Sequence, residues 1–187
     1  HSGPELLRHG FNVDPSPRDL TETYLPQFRR AITEGKAYSL MCAYNAVDGK
    51  AACANQTLLG DILRPDWGFQ GFITSDCGAI EDLANTYKRA ADEAGAQALA
   101  AKAGIDTRCG WEPSELVDAV RRGLISEAEM DYRAGALLRT MFRLGFFDPK
   151  GSGPFSRIAP SENNTPAHAA VALQAARESM VLLKNDG

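Results

Sequence analysis

Short apolar runs of strand length alternate along this chain with longer stretches of helical spacing. DPSPRD at 14–19 reads as a turn followed by a helix start. A helix is predicted from about Pro26 to Glu34, with proline in the first turn, where its missing N–H has no partner to lose, and Gly35 as the stop. AYSLMCAYN at 37–45 is an apolar segment of strand length, and VDGK at 47–50 is a turn signal. QTLLGDILR, apolar at 58, 59, 62 and 63, is a short helix, and PDWGFQG then leads into the strand GFITS. Residues 92–104 are Ala-rich and helical, and GID at 104–106 is a third strand. SELVDAVRRG is helical. The segment from Ser126 opens with a capping box of Ser126 and Glu129 and places Met130, Ala134, Leu137, Leu138, Met141 and Phe142 on one predicted core face.

Strand alternating with helix predicts the α/β class, with a parallel sheet or barrel whose catalytic groups lie at the C-terminal ends of the strands. After residue 147 the chain turns rich in Gly, Pro, Ser and Asn without periodicity, which reads as a linker. A helix follows, then SMVLLK, expected to be the first strand of a second domain.

Composition narrows the partners. The 187 residues carry a net charge of −4 with Lys and Arg scattered, so no basic surface for nucleic acid is expected. No apolar run approaches the roughly 20 residues that span a bilayer. HSGPELLRHG lacks the basic flank and apolar core of a signal peptide, but the absent initiator Met suggests a piece of something longer, so this says nothing of compartment. The four cysteines, 42, 53, 77 and 109, form no CxxC pair and none of the three histidines is near them, so no zinc site is expected. In an exported protein Cys42 would pair with Cys53 and Cys77 with Cys109. Otherwise four half-buried free thiols are expected.

Three acids sit at strand or turn ends. Asp66 reads as a turn residue bonding its own backbone, and Asp106 as a structural hydrogen-bond acceptor. Asp76 is fed by a strand and followed by Gly78, which permits close backbone approach. It is either a group presented to substrate or an N-cap for a helix starting near Ala79, and spacing alone leaves both open. Glu81 and Asp82 fit the first turn of that helix. GxGxxG, GxxxxGK[ST], HExxH and GxSxG are all absent, so no cofactor is called for. A strand-end carboxylate with Tyr44, Asn45 and Trp67 nearby suits sugar chemistry, where an anion meets a positive anomeric centre and flat rings meet pyranose C–H faces.

SLMCAYNAVDGKAACAN, LLGDILRPDWGFQGFITSDCGAI, AGIDTRCG, GLISEAEMD, FRLGFFDP and ARESMVLLKNDG, in this order, resemble glycoside hydrolase family 3 over essentially the whole chain. The resemblance implies the C-terminal part of a (β/α)8-type barrel at 1–147, a linker at 148–166, and the first helix and strand of an α/β sandwich domain at 167–187. It implies a retaining β-glycosidase that removes terminal β-D-xylosyl or β-D-glucosyl residues, with Asp76 of the SD motif as nucleophile. Tyr44 of the YN motif would lie against the nucleophile and sugar, Met41 beside the same pocket or in the core, and Glu5 near sugar hydroxyls. Cys77, where family glucosidases commonly carry Trp, points to β-xylosidase, as does the Cys42 and Cys53 pattern.

The resemblance also implies that a Lys-His sugar-binding motif and the first barrel strands precede His1, and that the general acid/base, a Glu, lies in the second domain. Cysteine usage and family habit point to a secreted or periplasmic enzyme, and the oligomeric state is not legible. A non-catalytic carbohydrate-binding remnant is the alternative from another class. A barrel lyase or aldolase lacks a visible Schiff-base lysine or metal ligands. The isolated 187-residue chain is expected to be inactive and poorly folded, because an open barrel exposes strand edges and core. A calorimetric scan and an aryl-glycoside assay check this, and a cooperative transition with turnover would contradict it.

Overall fold

The computed structural model describes residues 5–110 and 114–187. It divides into two compact units, His1–Leu144 and Gly145–Gly187. In the first, β1 (Asn12–Val13) pairs in parallel with β3 (Ala46–Val47), which turns back on β4 (Lys50–Ala51). β2 (Ser39–Met41) pairs in parallel with β5 (Phe72–Thr74), register Ser39 to Phe72 and Met41 to Thr74. The residue before β5 is Gly71, where a Cβ would run into the Tyr38 carbonyl.

The helices of this unit are α1 (Pro17–Asp19), α2 (Pro26–Thr33), α3 (Glu81–Asn85), α4 (Glu93–Ala103), α5 (Ser114–Arg121) and α6 (Glu127–Arg143). Two further segments, Leu20–Tyr24 and Thr57–Asp66, are wound more widely, with i to i+5 bonds such as Trp67 N–H to Ile62 O. The second segment continues through Pro65, so Asp66 ends a helix and does not form the expected turn.

α4 is the pivot of the core. Ala96 and Ala100 pack into a cluster with Ile73, Ile80, Leu83 and Ile105, while Ala94, Ala98 and Ala101 pack into another with Ala119 and Ile125. A helix buried on two sides has little room for large side chains, which explains the run of alanines. On α6 the expected face is rotated. Ala136 and Thr140 are buried, whereas Leu138 and Phe142 are 43% and 63% exposed. The reason is polar. Arg133, one turn before Ala136, points inward to Asp106 at 3.5 Å.

Asp106 also explains why the third strand shrinks to a single bridge between Thr74 and Thr107. Its side chain is fully buried, and Oδ2 accepts the Ile73 N–H at 2.8 Å and Arg64 Nη2 at 2.5 Å. The carboxylate thus takes an N–H that a longer ladder would give to a backbone carbonyl. In return Asp106 and Thr107 both donate their N–H to the Ile73 carbonyl.

Cys42 is bonded to Cys53 and Cys77 to Cys109, closing separations of 11 and 32 residues, each worth about 3 to 4 kcal/mol in chain-entropy terms. In the second unit the helix α7 (Pro166–Ser179) is capped by Thr165, whose hydroxyl accepts the His168 N–H. The strand expected at SMVLLK is not formed. Residues 180–187 are exposed and lie in no sheet, since a strand exists only against a partner that takes its backbone bonds.

Asp106→Ala should destabilise the polypeptide carrying this chain by about 3–5 kcal/mol, because it leaves two part-buried guanidinium groups without their counter-charge. Adding Arg64→Met should recover part of that loss. Denaturant titration measures both, and strictly additive losses would contradict the coupling.

Candidate active site

β5 ends at Thr74, and the next two residues are Ser75 and Asp76. Ser75 is buried and tied twice to the neighbouring segment, its N–H donating to Thr107 O at 3.0 Å and its Oγ accepting the Cys109 N–H at 3.0 Å. Asp76 is therefore delivered to the C-terminal edge of the parallel strands from a fixed base. Gly78 follows with φ 87°, and a Cβ there would meet nothing within 4 Å. Glycine is required by the left-handed backbone, not by the close approach expected from sequence.

Asp76 caps no helix. α3 starts only at Glu81, and its side-chain bonds run elsewhere. Oδ1 accepts the Cys77 N–H at 2.7 Å and lies 3.1 Å from the Tyr44 hydroxyl. Among the described residues nothing donates to Oδ2, and the residue is half-buried.

Tyr44 is 8% exposed and its hydroxyl has one proton for two acceptors. The Cys77 carbonyl, at 2.6 Å, is the nearer, and Asp76 is the farther. Burial, with the Asp76 hydrogen bond and negative charge, raises the phenol above its ordinary value, while Arg8 opposes the shift. The hydroxyl thus stays protonated as a donor. The Tyr44 carbonyl in turn accepts the Tyr87 hydroxyl at 2.7 Å.

Met41 ends β2 in register with Thr74 and is 57% exposed, so it is not core. Glu5 is exposed, and its link to the site is indirect. It pairs with Arg8 at 3.1 Å, and the Arg8 guanidinium lies 5.1 Å from the centre of the Tyr44 ring. Asn45 is buried and bonds to the Ala46 carbonyl. Glu81, read as a helix-end acid, pairs with Arg108.

The sequence reading missed Arg8 and His9. The His9 ring lies 4.3 Å from that of Tyr44, and its Nδ1 lies 2.6 Å from Asp82 Oδ2. Thr86 Oγ1 donates to the other oxygen of Asp82 at 2.7 Å. No spacing rule could join residues 73 apart, and a buried first-turn acid was the available hint. Among the described residues no group of three or more His, Cys, Asp or Glu could hold a metal ion, and no helix is long and apolar enough to cross a membrane.

Residues 8–140 match the glycosyl hydrolase family 3 N terminal domain. The chain belongs to glycosyl hydrolase family 3. It is 41% identical over 188 residues to a xylan 1,4-β-xylosidase of Xylanibacter ruminicola, covering 99% of this chain and 22% of that protein. It is likewise 41% identical to the probable β-D-xylosidase 7 of Arabidopsis thaliana, covering 97% and 24%. Among solved structures it resembles a family 3 exo-β-xylosidase in complex with a xylobiose aziridine activity-based probe, with TM-score 0.82, 33% identity, and coverage of 95% and 23%. It also resembles a β-glucosidase from Listeria innocua in complex with glucose, with TM-score 0.76, 30% identity, and coverage of 93% and 24%. The chain thus spans about a quarter of the length of the family 3 relatives it matches, and its mixed α/β fold is that of their N-terminal domain.

Removing the Asp76 charge should lower the Tyr44 pKa without returning it to the ordinary phenol value of about 10, because burial is the largest cause of the shift. Tyrosine-labelled NMR titration of Asp76→Asn against the unmutated protein, with Tyr44→Phe for assignment, measures this. An unchanged Tyr44 titration would contradict the contact.

Proposed function

We propose that this chain carries the nucleophile of a longer retaining β-glycosidase that removes terminal, non-reducing β-D-xylosyl residues from oligosaccharides or glycosides. The single observation that carries the reading is Asp76. It is a half-buried strand-end carboxylate with one oxygen held by two donors and the other bonded by none of the described residues.

The chemistry follows from that asymmetry. An Oδ2 lone pair attacks the anomeric carbon as the glycosidic C–O bond breaks, and an acid donates a proton to the departing oxygen. The product is a glycosyl ester of Asp76. The acid, now a base, takes a proton from water, which attacks the same carbon and releases the sugar with its β configuration kept, restoring the carboxylate. Bonds to Oδ1 keep the carboxylate aimed. The acid/base comes from the part of the enzyme beyond these residues.

Within this reading, residues 1–147 are the C-terminal part of the barrel, 148–166 a linker, and 167–187 the opening of an α/β sandwich domain, whose first strand forms against neighbours in that domain. Met41, Tyr44 and, through Arg8, Glu5 form part of the sugar site. Xylose is favoured over glucose because Cys77 stands where family glucosidases commonly carry a Trp ring, and because the relatives above at 41% identity are named as xylosidases. Two disulfides favour a secreted or periplasmic enzyme, since such bonds persist in oxidising compartments.

The test uses the full-length polypeptide that contains this chain. A 2-fluoro-xyloside should label Asp76, located by peptide mass spectrometry, and faster than a 2-fluoro-glucoside does. Asp76→Asn should lose activity on the order of 10⁴-fold. A label on another residue in an active enzyme would remove Asp76 from the role.

A further inference from the structure

We infer that the Cys77–Cys109 disulfide is the positioning device of the Asp76 carboxylate, and that thiol reductants open it selectively and turn the enzyme down. The inference rests on the reading of Asp76 given above.

The Cys77 peptide unit serves the site twice. Its N–H donates to Asp76 Oδ1 at 2.7 Å, and its carbonyl accepts the Tyr44 hydroxyl at 2.6 Å. A small rotation of this unit therefore moves the carboxylate and the phenol together. Backbone pairing to the neighbouring segment reaches only as far as Ser75, through Thr107 O, and the Ser75 hydroxyl then meets the Cys109 N–H. Beyond that point the chain turns through Gly78 at φ 87°, and α3 begins only at Glu81. The backbone–backbone bonds of residues 76–80 are local turn bonds, such as Ala79 N–H to Asp76 O, and the Tyr44 hydroxyl is the distant group that bonds them. The bond from Cys77 to Cys109 is the covalent tie between this turn and the adjacent segment, and the Glu81–Arg108 ion pair follows where α3 begins.

The two disulfides differ in access. Cys42 and Cys53 are 3% and 1% exposed, whereas Cys77 is exposed and Cys109 half-buried. Thiol–disulfide exchange requires a thiolate to reach a sulfur, so a dithiol finds the bond beside Asp76 first. Its thiolate attacks the Cys77 sulfur, the bond to Cys109 breaks, and the Cys109 thiolate leaves and takes a proton. The reagent's second thiolate then closes on the mixed disulfide and releases Cys77 as a thiol. Two electrons have passed to the protein and the reagent departs as a cyclic disulfide. The Cys77 peptide is then free to turn away.

The experiment treats the full-length polypeptide with dithiothreitol under native conditions and reads three quantities. Iodoacetamide labelling should mark Cys77 and Cys109 before Cys42 and Cys53. Hydrogen exchange of the peptide covering 74–80 should speed up. kcat on an aryl β-xyloside should fall between about tenfold and a hundredfold, the scale of a misplaced reacting group, with KM changed far less, and reoxidation should restore it. The double variant Cys77→Ala, Cys109→Ala should begin at the reduced enzyme's kcat and ignore the reductant. Should that variant fail to fold, the unmutated protein decides. Labelling of Cys77 and Cys109 with exchange and kcat unchanged would overturn the inference, and so would resistance of this bond to native reductant. If the oxidised protein hydrolyses no glycoside, the functional reading fails, and exchange at 74–80 alone decides whether the disulfide holds the turn.

Discussion

The geometry of this unit depends on one buried carboxylate. Asp106 has no exposed side-chain surface, and burial raises its carboxyl above the usual range against the pull of the Ile73 N–H and the Arg64 and Arg133 guanidinium groups. An isolated charge so placed would be costly, and two donors with the nearby charge of Arg133 are what make it tenable. Each comes from a different element: Ile73 from β5, Arg64 from the widely wound segment 57–66, and Arg133 from α6. Apolar packing around α4 sets how close these elements come, but packing is tolerant of small slides along their axes. A carboxylate with fixed directions is not, so Asp106 sets their register.

Register at Ile73 propagates to the site. Ile73 O takes the N–H groups of Asp106 and Thr107, Thr107 O takes that of Ser75, and Ser75 Oγ takes that of Cys109. The links step from Ile73 to Ser75 along one segment and from Thr107 to Cys109 along the other, ending at the disulfide on the far side of Asp76. On the proposed reading, an ion cluster beside β5 before Asp76 and a covalent bond just after it bracket the same residue. Placement of a reacting group by a rigid surround, with no adjustment needed during reaction, is where much of a catalyst's advantage lies.

Elements with strong local signals were legible in the sequence. The Ser126 and Glu129 capping box, the proline opening α2 and the alanine run of α4 are local interactions, and each formed as expected. So is the placement of Asp76 after a buried strand, because Ile73 lies in a short apolar run ending in polar residues. What local pattern could not give depends on distant partners. The face of α6 was misread because Arg133, a charged residue, points inward, and only Asp106 accounts for that. SMVLLK has the composition of a strand, but strand formation is a property of two segments and not one. Arg8 and His9 carried no motif of their own, and their relevance appears only when Tyr44 and Asp82 are brought beside them.

Tyr44 explains how such a site can be both held and responsive. A phenol with one proton and two acceptors shares it according to distance and charge, and here the Cys77 carbonyl is nearer while Asp76 carries the charge. Burial, together with the hydrogen bond to Asp76 and its negative charge, holds the phenol in the protonated state. In the proposed glycosyl ester that charge is gone, and the reason for the proton to lean toward Asp76 goes with it. The Cys77 carbonyl remains as the acceptor, so the hydroxyl has a partner in both states and no buried donor is stranded during the cycle. The ring itself does not need to move, since His9 and Arg8 lie against it and Tyr87 fixes its backbone. The change in charge at Asp76 is absorbed by a proton shifting between two acceptors, a motion far smaller than a rotamer change, and the sugar site keeps its shape.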